Sequence, residues 1–505
     1  MVYKTQNFRY SFISKLNLDS VAVRKLSLLL NSVVSGSNVA QRSPIGKSMS
    51  AADIVSAWSA IFEKDSSALT EGLMRQEMKN KQTIGPRSMA IPWSLRSSSV
   101  HDYYSSDNNR KLKNNSYHKP YRTNRLRPIE LKKALSFIKN NTNSGLPSLT
   151  RKGMVKDALE KSLNHYLSRK DPCVLFTRTQ EDFKTRNVWG YPAADVVNEM
   201  RYYRPILDYQ KGLPWRTALV SPEATDLAIT HIMKEARENG FFLVSIDFSS
   251  YDATVSSEKQ TRAFTYVKDL FQSAYSEEID YIAERFNTIG LVTPDGILTG
   301  KHGVPSGSTF TNEIDSIVQY LIAKDFGISD DHMNIQGDDG VYCVKDPSAL
   351  LKHFEENGLK VNYEKSLISD CECLFLQNYY SFDYIRNGQI KGIYPTYRAL
   401  CRILYPERYT NYSVEGIAGA SYNSIRTISI LENCSQHPLF REFVTFIYSL
   451  DKYCLSFESV ELSKYIKQNV DSTGTEGLFN YRRGLDLKGI YKFKTVQLIN
   501  ELNSG

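Results

Sequence analysis

Cysteine is scarce. The 505 residues hold seven, at 173, 343, 371, 373, 401, 434 and 454. So odd and scattered a set gives no disulfide framework; Cys343 and Cys454, inside apolar runs, read as small core residues of a reducing compartment. Cys371-Glu372-Cys373 is the one close pair, and no second pair completes a zinc site. Long apolar runs are also missing. Leu26 to Val34 is too short to span a membrane and follows Arg24-Lys25, while the start Met1-Val2-Tyr3-Lys4 leads into polar sequence rather than a secretory signal. A soluble, cytosolic protein with no membrane attachment is expected. Internal repeats and long low-complexity segments are absent too, so neither a repeat array nor a biased tract explains the chain.

What is present is ordinary in bulk and basic in balance. Hydrophobic residues make up 41% and charged residues 23%, enough for a sizeable core in two or three domains or one multi-lobed enzyme. The net charge of +8 leans towards a polyanionic partner, and 32 tyrosines suit base stacking as well as plain packing.

Periodicity predicts helices with polar joints over the first 100 residues, clearest from Ser50 to Lys79, where Ile54, Val55, Trp58, Ile61 and Phe62 share a face. Gly46-Lys47-Ser48 lacks the glycine that a phosphate loop needs at position 41, which is Gln41. From Tyr103 to Arg127 the cations Arg110, Lys111, Lys113, Lys119, Arg122, Arg125 and Arg127 face only Asp102 and Asp107. The stretch is either a solvated loop or a track for a nucleic-acid backbone. Further on, Lys184 and Arg186 alternate on a predicted strand and point to one side, and the buried-strand run Phe241 to Ile246 ends on Asp247. A helical stretch at 256–287 and a hairpin turned by Pro294-Asp295-Gly296 follow. Ser306-Gly307-Ser308 then opens a helix with Ile314, Ile317, Val318, Leu321 and Ile322 on its apolar face and Thr311, Asn312, Asp315 and Gln319 on its polar side. A helix at 347–357, a strand pair turned at Asn387-Gly388 and a mostly helical remainder from Tyr397 complete the chain.

Gln336-Gly337-Asp338-Asp339 sits between the apolar strands Met333-Asn334-Ile335 and Val341-Tyr342-Cys343-Val344. Alone it reads as an Asp-rich surface turn. Set after an Asp at a strand end and a Ser-Gly loop opening a helix, it reads as the tip of a hairpin beside Asp247. Adjacent carboxylates there repel one another, and divalent cations relieve that repulsion. Paired carboxylates of this kind hold the two metals of in-line phosphoryl transfer.

The ordered set Asp247-Phe248-Ser249-Ser250-Tyr251-Asp252, then Ser306-Gly307 with Thr311, then Gly337-Asp338-Asp339 resembles motifs A, B and C of viral RNA-dependent RNA polymerases, most nearly those of picobirnaviruses, with partitivirus enzymes next. Ser144-Gly145-Leu146-Pro147 is similar to motif G, Lys184 to Trp189 to motif F, Gly358 to Ser366 with Lys365 to motif D, and Leu374-Phe375-Leu376-Gln377 to motif E. The resemblance implies an α+β right-hand fold with an RRM-like antiparallel palm sheet. It divides the chain into an N-terminal extension bridging fingers and thumb (1–130), fingers (131–240), palm with motif A (241–255), a fingers insertion (256–302), palm with motifs B to E (303–395), and thumb with tail (396–505).

By the same resemblance Asp247 and Asp338 ligate Mg²⁺ or Mn²⁺ with Asp339 beside them, and Lys365 acts as general acid. Lys184 and Arg186 neutralise the triphosphate, and Ser306, Gly307 and Thr311 lie under the nascent pair. Ser144, Gly145, Pro147, Arg122 and Arg125 guide the template. Asp252 faces the ribose. Asp315 stands where an asparagine is common, so Asn312 is expected to hold Asp252 and share the ribose, with Asp315 structural. Lys365 as a surface lysine and Asp252 as a helix cap are the plainer readings. Implied partners are template and product RNA, ribonucleoside triphosphates and capsid protein, for a monomer in the virion interior or host cytoplasm. Two rivals stand beside this: a reverse transcriptase, disfavoured by Gly337 and by Asp252 in place of an aromatic gate, and a non-catalytic RNA-binding relative, disfavoured by retained metal-ligand aspartates. The basic, aromatic tail from 478, with Phe479, Tyr481, Tyr491 and Phe493, either reaches into the product channel or packs on the thumb.

Overall fold

A four-stranded antiparallel sheet forms the centre. The strand Phe242–Ile246 lies between Asp339–Val344 and the short Leu367–Ser369, and Met333–Gln336 pairs with Asp339–Val344 at the far edge. The computed structural model describes residues 10–105, 118–181, 183–408, 416–473 and 489–504. Both sheet faces are covered, which is why these strands read as near-continuous apolar runs. Val244, Ile246, Ile335 and Tyr342 pack with Ile314, Val318 and Phe354, while the alternate residues Leu243, Val341 and Cys343 pack with Ile229, Ile232 and Met233 of the helix Pro222–Asn239. Register does the rest. Ile246 pairs with Gly340 and Gln336 with Asp339, so Asp247 leaves its strand alongside the hairpin tip.

A second sheet of four strands runs in the order Thr185–Gly190, Cys173–Thr179, Leu291–Thr293, Gly296–Leu298. The first helix, Ser20–Ser35, sets Leu26 and Leu30 in one cluster with Val174 and Val292 of that sheet. The next, Ala51–Asp65, buries Ile54, Trp58 and Phe62 among the C-terminal helices, with the Trp58 ring 4.8 Å from Phe443. The N-terminal segments thus join two distant parts of the chain. Polar contacts fix the joint. The fully buried Glu77 accepts from Thr396 N at 2.7 Å and Tyr397 N at 3.1 Å, holding the first turn of the helix Thr396–Leu404, and His437 Nε2 lies 2.9 Å away. Acceptors placed on the free N–H groups of a helix start are favoured by its dipole.

Three local expectations shift. The helix expected from Ser50 to Lys79 is two helices, Ala51–Asp65 and Glu71–Gln82, because Thr70 caps a new start through Leu73 N. The stretch 256–287 likewise splits into Ser257–Leu270 and Ser276–Thr288. The helix after Ser306 begins only at Thr311. Of the tail, Phe479 and Tyr481 lie outside the described residues, as do Arg110, Lys111 and Lys113. The described end packs: Phe493, Val496 and Ile499 join the C-terminal core, and Thr495 N donates to Glu432 at 3.0 Å.

Candidate active site

Asp247, Asp338 and Asp339 line one cavity of about 470 Å³ together with Lys184, Arg186 and Lys365. The hairpin tip is shaped by Gly337, whose φ of +67° belongs to the left-handed region and whose added Cβ would stand 2.7 Å from Asn312 Nδ2. Helix and hairpin are stitched together. Gln319 Nε2 donates to Gly337 O at 2.6 Å, Gly337 N donates to Ser316 Oγ at 2.8 Å, and Gln336 Nε2 donates to Asn312 Oδ1 at 2.8 Å. The fully buried Arg216 donates to Ser316 Oγ at 2.6 Å and to Gln336 Oε1 at 2.9 Å, and pairs with Glu313 at 3.2 Å. The polar side of this helix is therefore not a solvated face: residues Glu313 to Ala323 are buried, and their polar groups hold the hairpin.

Asp247 is fixed from the other side. Its N–H donates to Ser366 Oγ at 3.0 Å and its carbonyl accepts from Asn362 N at 2.8 Å, which brings the Lys365 turn against the strand end. Ser249 N donates to Lys360 O, also at 2.8 Å, so the two segments stay joined from Asp247 to Ser249. Burial first, then the charges of Asp338 and Asp247, push Asp339 up to about 7, while Arg398 acts the other way. Burial, then Arg186 and Lys365, push the Lys184 ammonium down, against Asp247 and Asp338. Cations and carboxylates thus face each other across one small space.

Beside them lies an acid pair. Burial pushes both Asp252 and Asp315 up, Asp252 to about 7, with the charge of Asp338 adding to the effect on each. The charge of Asp252 adds to burial in pushing the Asp315 carboxyl well above the usual carboxylate range. Asn312 Oδ1 accepts from Gln336 Nε2 of the hairpin, and Asp315 is the carboxyl that faces Asp252.

The loop before the helix is equally constrained. A Cβ on Gly307 would collide with Trp189 O, so only glycine fits against the Thr185–Gly190 strand. Ser306 Oγ accepts from Trp189 N at 3.3 Å and so ties the loop to that strand, while Thr311 Oγ1 donates to Pro305 O at 2.9 Å within the loop itself. Other expected template residues lie elsewhere. Ser144 is buried, with its hydroxyl accepting from Thr150 N, and Gly145 packs on Tyr191 O, leaving Pro147 partly exposed. Arg122 and Arg125 are exposed on a segment strapped to the end of the Ser257–Leu270 helix, and neither lines the cavity.

Four further residues serve the site without any sequence motif to mark them. Arg216 is one. Glu199 accepts from Thr309 N at 2.7 Å and Ser308 Oγ at 2.9 Å, so it anchors the Ser-Gly loop. Arg398 enters the cavity from the Thr396–Leu404 helix. Tyr103 stands by the acid pair: burial first, then Asp252 and Asp315, push its phenol up. The one available signal is a charge set beside a large apolar residue, as in Trp215-Arg216.

Among the described residues no three Asp, Glu, His or Cys side chains close into a metal cage. The donor set nevertheless fits hard divalent cations. It is oxygen only, and the charges of Asp338 and Asp247 hold up the proton affinity of Asp339, a repulsion that a cation relieves. Magnesium sites commonly take one or two carboxylates and complete the shell with substrate phosphates and water.

Residues 98–435 match the family of viral RNA-dependent RNA polymerases. The chain belongs to that family. It is 29% identical over 471 residues to the potential RNA-dependent RNA polymerase of human picobirnavirus (strain Human/Thailand/Hy005102/-), covering 85% of each chain. It is 26% identical over 217 residues to the RNA-directed RNA polymerase of Cryptosporidium parvum virus 1 (strain KSU-1), covering 39% of this chain and 41% of that one. The crystal structure of the RNA-dependent RNA polymerase of a human picobirnavirus shares its fold, with a TM-score of 0.77 at 24% identity over 98% of both chains. The right-hand α+β fold implied by the motifs is the fold found. The enzyme is an RNA-directed RNA polymerase, with RNA and nucleotides as its substrates.

Proposed function

We propose that the polymerase copies and transcribes a viral double-stranded RNA genome by two-metal nucleotidyl transfer. The observation that carries this reading is the meeting of Asp247, Asp338 and Asp339 with Lys184, Arg186 and Lys365 in one cavity. Asp247 and Asp338 would hold Mg²⁺ or Mn²⁺, which when bound supplies Lewis-acid polarisation of hydroxyl and phosphoryl oxygens. Lys184 and Arg186 bind the triphosphate and offset its charge beside the carboxylates. Lys365 Nζ gives a proton to the departing pyrophosphate. Asp252, facing Asp315, accepts from the ribose 2′-hydroxyl. Likeness to the polymerases of human picobirnavirus and Cryptosporidium parvum virus 1 supports the double-stranded genome. The motif resemblance supports a monomer working beside capsid protein, in the virion interior or host cytoplasm.

The test is label incorporation on a single-stranded RNA template with Mg²⁺ or Mn²⁺, with and without primer. Asp338→Ala and Asp247→Ala should each abolish synthesis while RNA binding survives, because affinity comes mainly from cations on the backbone. Near-normal synthesis by either variant refutes the assignment.

A further inference from the structure

A second cavity, of about 1230 Å³, lies between the segment 41–48 and the C-terminal helices. It is larger than the pockets of roughly 300–1,000 Å³ that hold single small ligands. Eight Lys and Arg side chains line it against two acids, Glu407 and Asp451. Glu407 is already engaged by Arg87 at 2.5 Å, and Asp451 accepts from Leu455 N at 2.8 Å. Arg42, Lys47, Arg408, Arg426 and Lys452 have no carboxylate partner among the described residues.

Two of these cations are set in place by backbone. Arg426 Nη2 donates to Arg402 O at 2.5 Å, and Arg42 Nη1 donates to Leu404 O at 3.2 Å while its Nη2 is buried without a hydrogen-bond partner. Like charges gathered in a partly desolvated hollow oppose folding, and a polyanion is what offsets them. Aromatic faces stand with them: the rings of Tyr422 and Tyr465 are 5.3 Å apart, and Lys452 Nζ lies 5.5 Å from the Tyr453 ring centre. Cations interleaved with stackable rings suit single strands of nucleic acid. The cavity is walled from the catalytic one by Arg87, which bridges Glu181 on the catalytic side at 2.9 Å and Glu407 on this side.

We propose that this cavity binds a stretch of single-stranded RNA outside the catalytic cavity, gripping phosphates through Arg42, Lys47, Arg426 and Lys452 and stacking bases on the tyrosines. The inference rests on RNA being the substrate, and on nothing in the two-metal reading. Free nucleoside triphosphate shares the phosphate chemistry, so the test separates the two.

The double variant Lys47→Glu/Lys452→Glu changes two exposed side chains. Its affinity for a single-stranded oligoribonucleotide should fall about 10-fold at roughly 0.1 M salt, and the slope of log K against log salt should shrink by about 1.4, since each neutralised phosphate of a single strand contributes about 0.7. Oligoribonucleotide carrying 4-thiouridine should crosslink to Tyr422 or Tyr453 in the full chain, and a millimolar excess of ATP should leave the crosslink in place. Unchanged affinity and slope, crosslinks confined to the catalytic cavity, or displacement by ATP overturns the proposal. If the double variant melts early, Lys452→Gln replaces it, with an expected slope change of about 0.7. Single-nucleotide addition with Asp338→Ala reads the catalytic assignment separately.

Discussion

Asp315 and Asp252 form a buried acid pair, in which the charge of Asp252 pushes the Asp315 carboxyl well up. An asparagine at 315 could donate to Asp252, whereas alanine could not. Asp315→Ala should lower the preference for ribonucleotides over 2′-deoxynucleotides by about 10-fold, the scale of one hydrogen bond to a charged group. Asp315→Asn should stay within about 3-fold of the parent by the same reasoning. Asn312→Ala, which frees Gln336, should slow incorporation of both sugars alike. Paired kcat/KM values for the two sugars decide it; erosion of the preference by Asn312→Ala alone would reverse the assignment.

Lys365 sits on a turn stitched to Asp247 and lies near Lys184. As general acid it should be needed for the chemical step and little for binding. Lys365→Leu should slow single-turnover addition by roughly 10²–10⁴-fold, with nucleotide affinity nearly kept. A parental single-turnover rate would leave it a surface lysine.

Glu199 gives a pH signature. Burial pushes its carboxyl up to about 8 despite the donors Thr309 N–H and Ser308 Oγ–H. The unfolded chain releases this proton near 4.5, so between there and about 8 the native state binds more protons and stability falls as pH rises. Glu199→Gln, which mimics the protonated form, should remove that slope. Between about pH 5 and pH 8 the variant should gain on the parent by about 1–4 kcal/mol, at roughly 1.36 kcal/mol per pKa unit. Parallel unfolding midpoints across that range would contradict it.

Arg216 reaches the hairpin through Ser316 and Gln336 and pairs with Glu313 in the interior. Arg216→Met leaves Glu313 buried and alone and should cost about 3–5 kcal/mol. Arg216→Met/Glu313→Leu should recover most of that stability, because an apolar pair can replace a buried ion pair. It should not recover kcat, since the hairpin still lacks its donor. Recovery of both would make the arginine a packing residue only.

The catalytic strands and the Gly337-Asp338 turn are legible in the sequence because their signals are local: apolar runs, a glycine bracket and fixed spacing. The helix face carrying Asn312, Asp315 and Gln319 departs from expectation for a physical reason. Periodicity separates polar from apolar faces, yet it does not distinguish a polar face turned to water from one bonded to a buried hairpin. That is why the sequence does not show Asn312 bonded to Gln336 or Asp315 facing Asp252. Arg216 and Glu199 belong to no motif, because the partners that give them their place at the site are remote in sequence. Arg216 and Glu313 are 97 positions apart, and Glu199 and Ser308 are 109. The carboxylates that face Tyr103 are more distant still, and no spacing rule links any of these pairs.

Glu77 meets its partners late. Thr396 is 319 residues further along the chain, and His437 is later still. At roughly 5–20 residues per second, a ribosome takes about 15–65 s to travel from Glu77 to Thr396. Through that interval the carboxylate of Glu77 and the apolar face of Ile54, Trp58 and Phe62 await the helices that will cover them. The N-terminal arm is therefore made well before the helices that cover it, and it settles only after they emerge.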